Sequence, residues 1–411
     1  MNDKYIILIG DGMGDYPLDR LAGRTPLEAA RKPNIDNLAR IGLQGTVQTV
    51  PSGMEPGSDV ANMSLLGYDP AVYHTGRAPL EAASMGVRLA PDDLAFRCNL
   101  IYLDRQRSDN VLMGDYSAGH ISTGEANVLI SALQSAVAGS PLKLYPGVSY
   151  RHLLVWKGGP AGLSTTPPHD ITGQPIAPYY FLAGEPVLHS FAVRAASILE
   201  SHPITRERLA AGKNPANAVW LWGQGKAPSM PKMHERFGIS GAMISAVDLL
   251  KGIGVYAGLE AVNVQGATGY LDTNFEGKVS AAIAALEKED FVFVHLEAPD
   301  EASHEGSLEK KLEAIEKFDE LIVGPIVERA KRFENVHLLI MPDHLTPISL
   351  RTHASEPVPF LLVDRLGSTS GSGCREGGYC EKNAHAAGLR FNSGPELFQR
   401  FIGRLPATAS A

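Results

Sequence analysis

The chain has 411 residues, 44% of them hydrophobic and 20% charged, with a formal net charge of −8. That length exceeds one ordinary hydrophobic core, so two domains are expected. The negative balance argues against nucleic acid or an anionic membrane surface as a partner, and leaves room for a small anionic substrate held by a local cluster of cations.

The predicted elements begin with a strand at Tyr5–Ile9 that ends in Gly10-Asp11-Gly12. The start, Met1-Asn2-Asp3-Lys4, runs straight into this strand without a signal-peptide pattern, and no apolar run reaches membrane-spanning length. The cysteines Cys98, Cys374 and Cys380 are too few for a disulfide framework. A reducing, cytoplasmic setting is therefore expected. Pro33-Asn34 open a short helix over Ile35–Ile41, closed by Gly42. Thr46–Thr49 reads as a strand, and after the loop Pro51–Gly57 a helix runs from near Ser58 to Leu66.

From Val72 to His234 the character changes. Pro and Gly are frequent, turns such as Thr165-Thr166-Pro167-Pro168 recur, and Leu153–Trp156 and Val219–Trp222 read as strands. Beyond, Ala261–Val264 and Phe291–Leu296 are strands, and the run Phe291-Val292-Phe293-Val294 is apolar without alternation, as in a strand covered on both faces. Leu308–Arg332 is a long amphipathic helical region, interrupted near Gly324-Pro325. The strands His337–Met341 and Pro359–Val363 complete the set. Gly367–Gly378, dense in Gly and Ser, reads as a mobile loop and the tail after Leu405 as frayed. Strands alternating with helices at both ends predict an α/β domain with a largely parallel sheet, residues 1–71 and 235–411, into which a smaller domain, residues 72–234, is inserted.

Carboxylates and imidazoles gather at the ends of these strands. Asp11 follows the first one, where the C-terminal edge of a parallel sheet places its ligands. Asp300 and His304 are four apart, on one face if the segment is helical. Asp343 and His344 follow Pro342 at a strand end, where a bend lets both converge, and His353 comes shortly after. Singly, a His is more often an ordinary hydrogen-bonded residue, and an Asp after a strand is often a helix cap. Together they read as ligands for divalent cations of the Zn²⁺ or Mn²⁺ kind, and two such ions are a recurring device for moving phosphoryl groups. Ser58 opens a helix. Its ordinary reading is an N-cap, and its functional one a nucleophile at a helix N-terminus, whose free N–H groups and dipole favour an anion.

Gly10-Asp11-Gly12, Ser58, Asp300 with His304, Asp343-His344 and His353 stand in the order found in the alkaline phosphatase superfamily. Narrower strings are Ile9-Gly10-Asp11-Gly12-Met13-Gly14-Asp15, Gly57-Ser58-Asp59-Val60-Ala61-Asn62-Met63-Ser64-Leu65-Leu66-Gly67-Tyr68-Asp69-Pro70, Gly76-Arg77-Ala78-Pro79-Leu80-Glu81-Ala82 and Met341-Pro342-Asp343-His344. With these the chain resembles the archaeal type of the cofactor-independent phosphoglycerate mutases over nearly its whole length. The resemblance implies an alkaline-phosphatase-like, mostly parallel sheet flanked by helices, with an inserted smaller α+β cap.

It implies one metal on Asp11, Ser58, Asp343 and His344, and another on Asp300, His304 and His353. The ions would be Mn²⁺ or Zn²⁺, with Co²⁺ or Mg²⁺ as alternatives, and no 2,3-bisphosphoglycerate is needed. Ser58 would be the nucleophile, passing through phosphoserine. In the cap, His169 and Asp170 would be a catalytic or substrate-positioning pair, and Arg77, Arg97 and Lys226 would bind substrate. Arg77 and Arg97 equally fit as surface or domain-packing cations. The implied reaction interconverts 3-phosphoglycerate and 2-phosphoglycerate, with hinges near Tyr68–Gly76 and Lys232–Gly241. The partner is a small phosphorylated substrate, and the oligomeric state is left open. A second reading keeps the metals and Ser58 under a different cap, as in homoserine-kinase-like or phosphopentomutase-like enzymes or a related phosphatase. A third, a non-catalytic phospho-ligand sensor, predicts the loss of a ligand or of the nucleophile, and all seven positions are present.

Overall fold

The computed structural model describes residues 3–105, 110–180, 184–367 and 377–404. Most of the Gly/Ser-rich segment, with Cys374, and the tail from Leu405 lie outside them. Cys98 and Cys380 are buried free thiols. The chain divides into two compact units, residues 1–74 with 229–411 and residues 75–228; the sequence had placed these joins at 71/72 and 234/235.

In chain order the strands are β1 (Lys4–Gly10), β2 (Leu43–Val47), β3 (Leu94–Asp104), β4 (Leu112–Asp115), β5 (Leu142–Val148), β6 (Arg151–Trp156) and β7 (Ala218–Lys226). They continue as β8 (Gly241–Ile244), β9 (Glu260–Val262), β10 (Phe291–Leu296), β11 (Val336–Met341), β12 (Val358–Val363) and β13 (Arg390–Phe391).

The first unit holds the sheet β13-β2-β12-β11-β1-β10-β8-β9. β1 lies inside it, parallel to β10 on one side and to β11 on the other, with β8 and β9 continuing in parallel. Among the described strands of this sheet, β12 alone runs against its neighbours. Every residue of β10 and β12 is buried, as a sheet covered on both faces requires. On one face Ile6, Leu8, Val292 and Leu338 pack with Val279, Ile283, Ile315 and Phe318 from the helices. The architecture is the α/β, mostly parallel one expected.

Some boundaries move. The first predicted helix spans Pro33–Ala39, with Pro33 at its first position, where the missing N–H costs nothing. The strand expected at Thr46–Thr49 is Leu43–Val47, its length set by pairing with β12. The break in the long helix falls just before Gly324, as a π-helical turn at Phe318–Val323. Pro325 has no N–H to continue the α-helical ladder, and the ladder changes register there.

The second unit is built on β3, which pairs with β7 along one side and with β6 and then β4 along the other; β5 lies outside β6, and all these pairs are antiparallel. Side chains alternate along β3. Phe96, Cys98 and Leu100 enter a core with the helices Thr123–Val137 and Pro186–Ser201. Arg97 and Asn99 alternate with them, and so belong to the opposite face. The unit's ends meet: the Thr75 hydroxyl donates to the Lys226 carbonyl at 2.6 Å. Gly76, at φ 138°, approaches so closely that a Cβ would sit 2.1 Å from the Gln224 carbonyl oxygen, which only glycine allows.

Candidate functional site

Adjacent parallel strands deliver the site. Asp11 directly follows β1. Asp300 and His304 lie on the helix Ala298–His304 that follows β10, and Asp343 and His344 follow β11. Because β10 and β11 flank β1, these residues reach one sheet edge. His353 comes from the segment between β11 and β12. Gly12, at φ 59°, turns the chain after Asp11, and a Cβ there would stand 2.5 Å from both Asp300 Oδ1 and Thr346 Oγ1. Ser58 is not the cap of its helix: Gly57 takes that position, and the Ser58 hydroxyl lies 3.2 Å from His344 Nε2 instead.

Two groups of ligand atoms result, Asp11 with Asp343 and His344, and Asp300 with His304 and His353; within each, all lie within 4.8 Å of one another. Hydrogen bonds assign the tautomers. The Thr346 hydroxyl has one proton and gives it to Asp300 Oδ1 at 2.5 Å, so it accepts from His344 Nδ1 at 3.1 Å. His304 Nδ1 donates to the Arg351 carbonyl at 2.9 Å, and His353 Nδ1 to the Pro56 carbonyl at 3.3 Å. In all three, Nδ1–H is occupied and Nε2 is left to bind a cation. His304 Nε2 and His353 Nε2 are 3.1 Å apart, and His304 Nε2 is 3.1 Å from Asp300 Oδ2.

Burial governs the electrostatics. Asp11 and Asp343 are 1% and 0% exposed. Burial, and then the charge of Asp343, pushes the Asp11 carboxyl well above its ordinary range. For Asp300 burial acts upward, but the hydrogen bonds with His304 and His353 outweigh it and hold the carboxyl well below. The same pair raises His304 to about 9, chiefly through its hydrogen bond with Asp300. Burial lowers His344. Asp11 Oδ1 is buried with no hydrogen-bond partner. Several carboxylates at one dry edge, one oxygen unpaired, need a compensating positive charge, and the bare imidazole nitrogens are suited to hold it as divalent cations. The residues fit two such ions.

Sequence reasoning missed several supporting residues. Asn62 donates to Asp343 Oδ2 at 2.7 Å and to the Ser58 carbonyl at 2.8 Å, tying the Ser58 backbone to Asp343. Thr346 joins the two groups. His295, the one polar residue of β10, lies with Nε2 3.0 Å from Asp11 Oδ2, off the line of a hydrogen bond, and burial lowers it to about 3. Lys311, fully buried, meets Asp15 at 2.8 Å and donates to the Gly14 and Thr346 carbonyls, bracing the loops that carry Asp11 and His344. A polar residue inside an apolar strand, and a lysine on the apolar face of a helix, were the available signals.

In the second unit burial and the charges of Arg97 and Arg77 lower the His169 imidazole against the pull of Asp170. His169 Nε2 is 3.5 Å from Asp170 Oδ1. Arg97 is buried and paired with Glu81 at 2.9 Å, so it is no surface cation. Lys226 ends β7 opposite Leu94.

The fold and site define a class: an α/β protein with two groups of residues able to hold metal ions beside a serine at a helix N-terminus. The sequence model of the 2,3-bisphosphoglycerate-independent phosphoglycerate mutases matches residues 39–205. A protein of that name from Methanosarcina acetivorans is 56% identical over 363 residues, 87% of this chain and 90% of its own. A second, from Methanothermobacter thermautotrophicus, is 48% identical over 93% of this chain and 95% of its own. Among solved structures, the PH0037 protein from Pyrococcus horikoshii superposes with a TM-score of 0.82 at 29% identity, covering 100% of both chains. The cofactor-independent phosphoglycerate mutase from Thermoplasma acidophilum does so with 0.63 at 26%, covering 98% of this chain and 99% of its own. The chain belongs to the 2,3-bisphosphoglycerate-independent phosphoglycerate mutase family.

Proposed function

We propose that the protein interconverts 3-phosphoglycerate and 2-phosphoglycerate through a phosphoserine on Ser58. The observation that carries this is the serine itself: it opens a helix without capping it, and its hydroxyl stands inside the ligand set, 3.2 Å from His344 Nε2. Asp11, Ser58, Asp343 and His344 would hold one divalent ion, and Asp300, His304 and His353 the other. Mn²⁺ or Zn²⁺ suits this Asp/His set, Co²⁺ or Mg²⁺ less well, and the ions would neutralise charge on the transferring phosphoryl group.

Ser58 Oγ attacks phosphorus in line; the new O–P bond forms as the bond to the substrate's C3 oxygen breaks. The free N–H groups at the start of the helix Ser58–Leu65 receive the phosphoryl oxygens. Asn62 holds the serine backbone against Asp343 throughout. Glycerate turns and takes the phosphoryl group back on its C2 hydroxyl. His169, kept neutral by burial and by Arg97 and Arg77, gives and takes the hydroxyl protons beside Asp170. Arg77, Arg97 and Lys226 bind the organic half of the substrate. Water must be kept from the phosphoserine, or the enzyme would act as a phosphatase. The small number of cysteines, with Cys98 and Cys380 buried and free, supports a reducing, cytoplasmic setting for this chemistry. Among the described residues no helix is long and apolar enough to cross a membrane.

The test is a coupled assay with 3-phosphoglycerate and Mn²⁺, without 2,3-bisphosphoglycerate, on wild type and Ser58→Ala, with mass spectrometry of the Ser58 peptide after a rapid quench. Turnover and a phosphorylated peptide in wild type alone are expected. A folded, metal-loaded wild type that does not turn over would sink the reading.

A further inference from the structure

The second unit contains a side-chain stack that its substrate-binding residues alone do not explain. Arg97 in β3 stands directly opposite Trp222 in β7, on the same face of the sheet. The guanidinium carbon lies 4.1 Å from the centroid of the Trp222 ring, a cation–π contact in a nearly dry setting. Glu81 takes one edge of the guanidinium at 2.9 Å, while Arg97 Nε is buried and without a partner. The same indole meets a second group: the His169 ring lies 5.3 Å from it, edge to face at 76°. Tyr116 supports that imidazole further, with centroids 5.9 Å apart.

The indole is itself fixed. Its Nε1–H donates to Asn99 Oδ1 at 3.0 Å, and Asn99 Nδ2 donates to the Tyr116 carbonyl at 3.2 Å. Asn99 is 1% and Trp222 4% exposed. One buried amide therefore sets the rotation of the ring, and the ring sets where an arginine and a histidine lie. Long side chains lose much freedom when ordered, so a rigid aromatic plate that orders one before the substrate arrives lowers the cost of binding.

We infer that Trp222, locked by Asn99, is a positioning residue that fixes Arg97 and His169 relative to each other for the anionic half of the substrate. This deepens the function proposed above and rests on it.

The test uses the full-length chain as wild type, Trp222→Phe, Trp222→Leu and Asn99→Leu. Trp222→Leu is expected to raise KM for 3-phosphoglycerate by about tenfold and to lower kcat less, and Trp222→Phe, which keeps an aromatic face, to return KM to within about threefold of wild type. The His169 ring, followed by NMR in the metal-free protein, is expected to titrate about half a pH unit higher in Trp222→Leu and Asn99→Leu, as it loses its cover and Arg97 swings away. The melting temperature reports folding. If Trp222→Leu does not fold, Asn99→Leu and Trp222→Phe carry the test. A His169 titration unmoved in the folded variants, or a KM unmoved in Trp222→Leu, overturns the platform. Absence of wild-type turnover strikes instead at the mutase reading, since the NMR titration needs no turnover.

Discussion

In the first unit Asp11, Asp343 and His344 are at most 1% exposed, and the imidazoles of His304, His344 and His353 are each tied at Nδ1. In the second unit the His169 and Asp170 side chains are 44% and 56% exposed, and the buried Trp222 ring lies against His169. The difference follows from the sheets. Parallel strands end at one edge and point several loops at one spot, whereas an antiparallel sheet offers a face. Ligands at a shared edge tolerate little change, because each is bonded to another. On the function proposed above, the phosphoryl chemistry would belong to the first unit and selection among substrates to the second.

Substitutions can break this contrast. The largest effect is expected from Asp343→Ala, which removes the acceptor of bonds from Gly12, Asn62 and His344 as well as a ligand. Turnover should fall by about 10³-fold or more, with loss of one metal per chain by elemental analysis. His169→Ala should cost about 10²-fold in kcat and leave metal content unchanged, as measured by steady-state kinetics and the same metal count. Equal metal loss in both variants would erase the distinction drawn between the units. Thr346→Val tests the bridge between the two ligand groups. Without its hydroxyl the His344 tautomer is no longer fixed, and metal affinity should fall by about 10- to 100-fold in a calorimetric titration.

The smallest effect concerns stability. His152 of the second unit is buried, and burial lowers it from 6.5 to about 4. A histidine held neutral in this way stabilises the fold fully above pH 6.5, and the contribution is lost as the pH falls towards about 4. Wild type should lose about 3 kcal/mol more than His152→Leu between pH 7 and pH 4 in denaturant melts.

The first unit was the more legible from sequence for the same reason that it is rigid. Asp11, Asp300 and Asp343 each stand just past an apolar run, so both strand and ligand announce themselves locally. β8 escaped notice because Gly-Ala-Met-Ile is only four residues long with a single β-branched side chain, and the helix Asp248–Ala257 because Gly252 and Gly254 weaken its helical pattern. Thr346 and Asn62 are ordinary residues whose roles come from partners far away in the chain. In the second unit Arg97 was legible only as a cation. What separates it from a surface residue is Trp222, 125 positions later and opposite it in an antiparallel pair, and no local pattern encodes that register.

Thr75 is the first residue of the second unit and Lys226 lies two residues before its last, and they are hydrogen-bonded to each other. Its chain therefore enters and leaves through a single doorway. A module whose ends coincide asks its host for no more than one loop position, and neither chain has to be re-routed when it is replaced. Such a module is open to exchange as a whole, so one set of metal ligands could serve a succession of differently shaped recognition units during evolution.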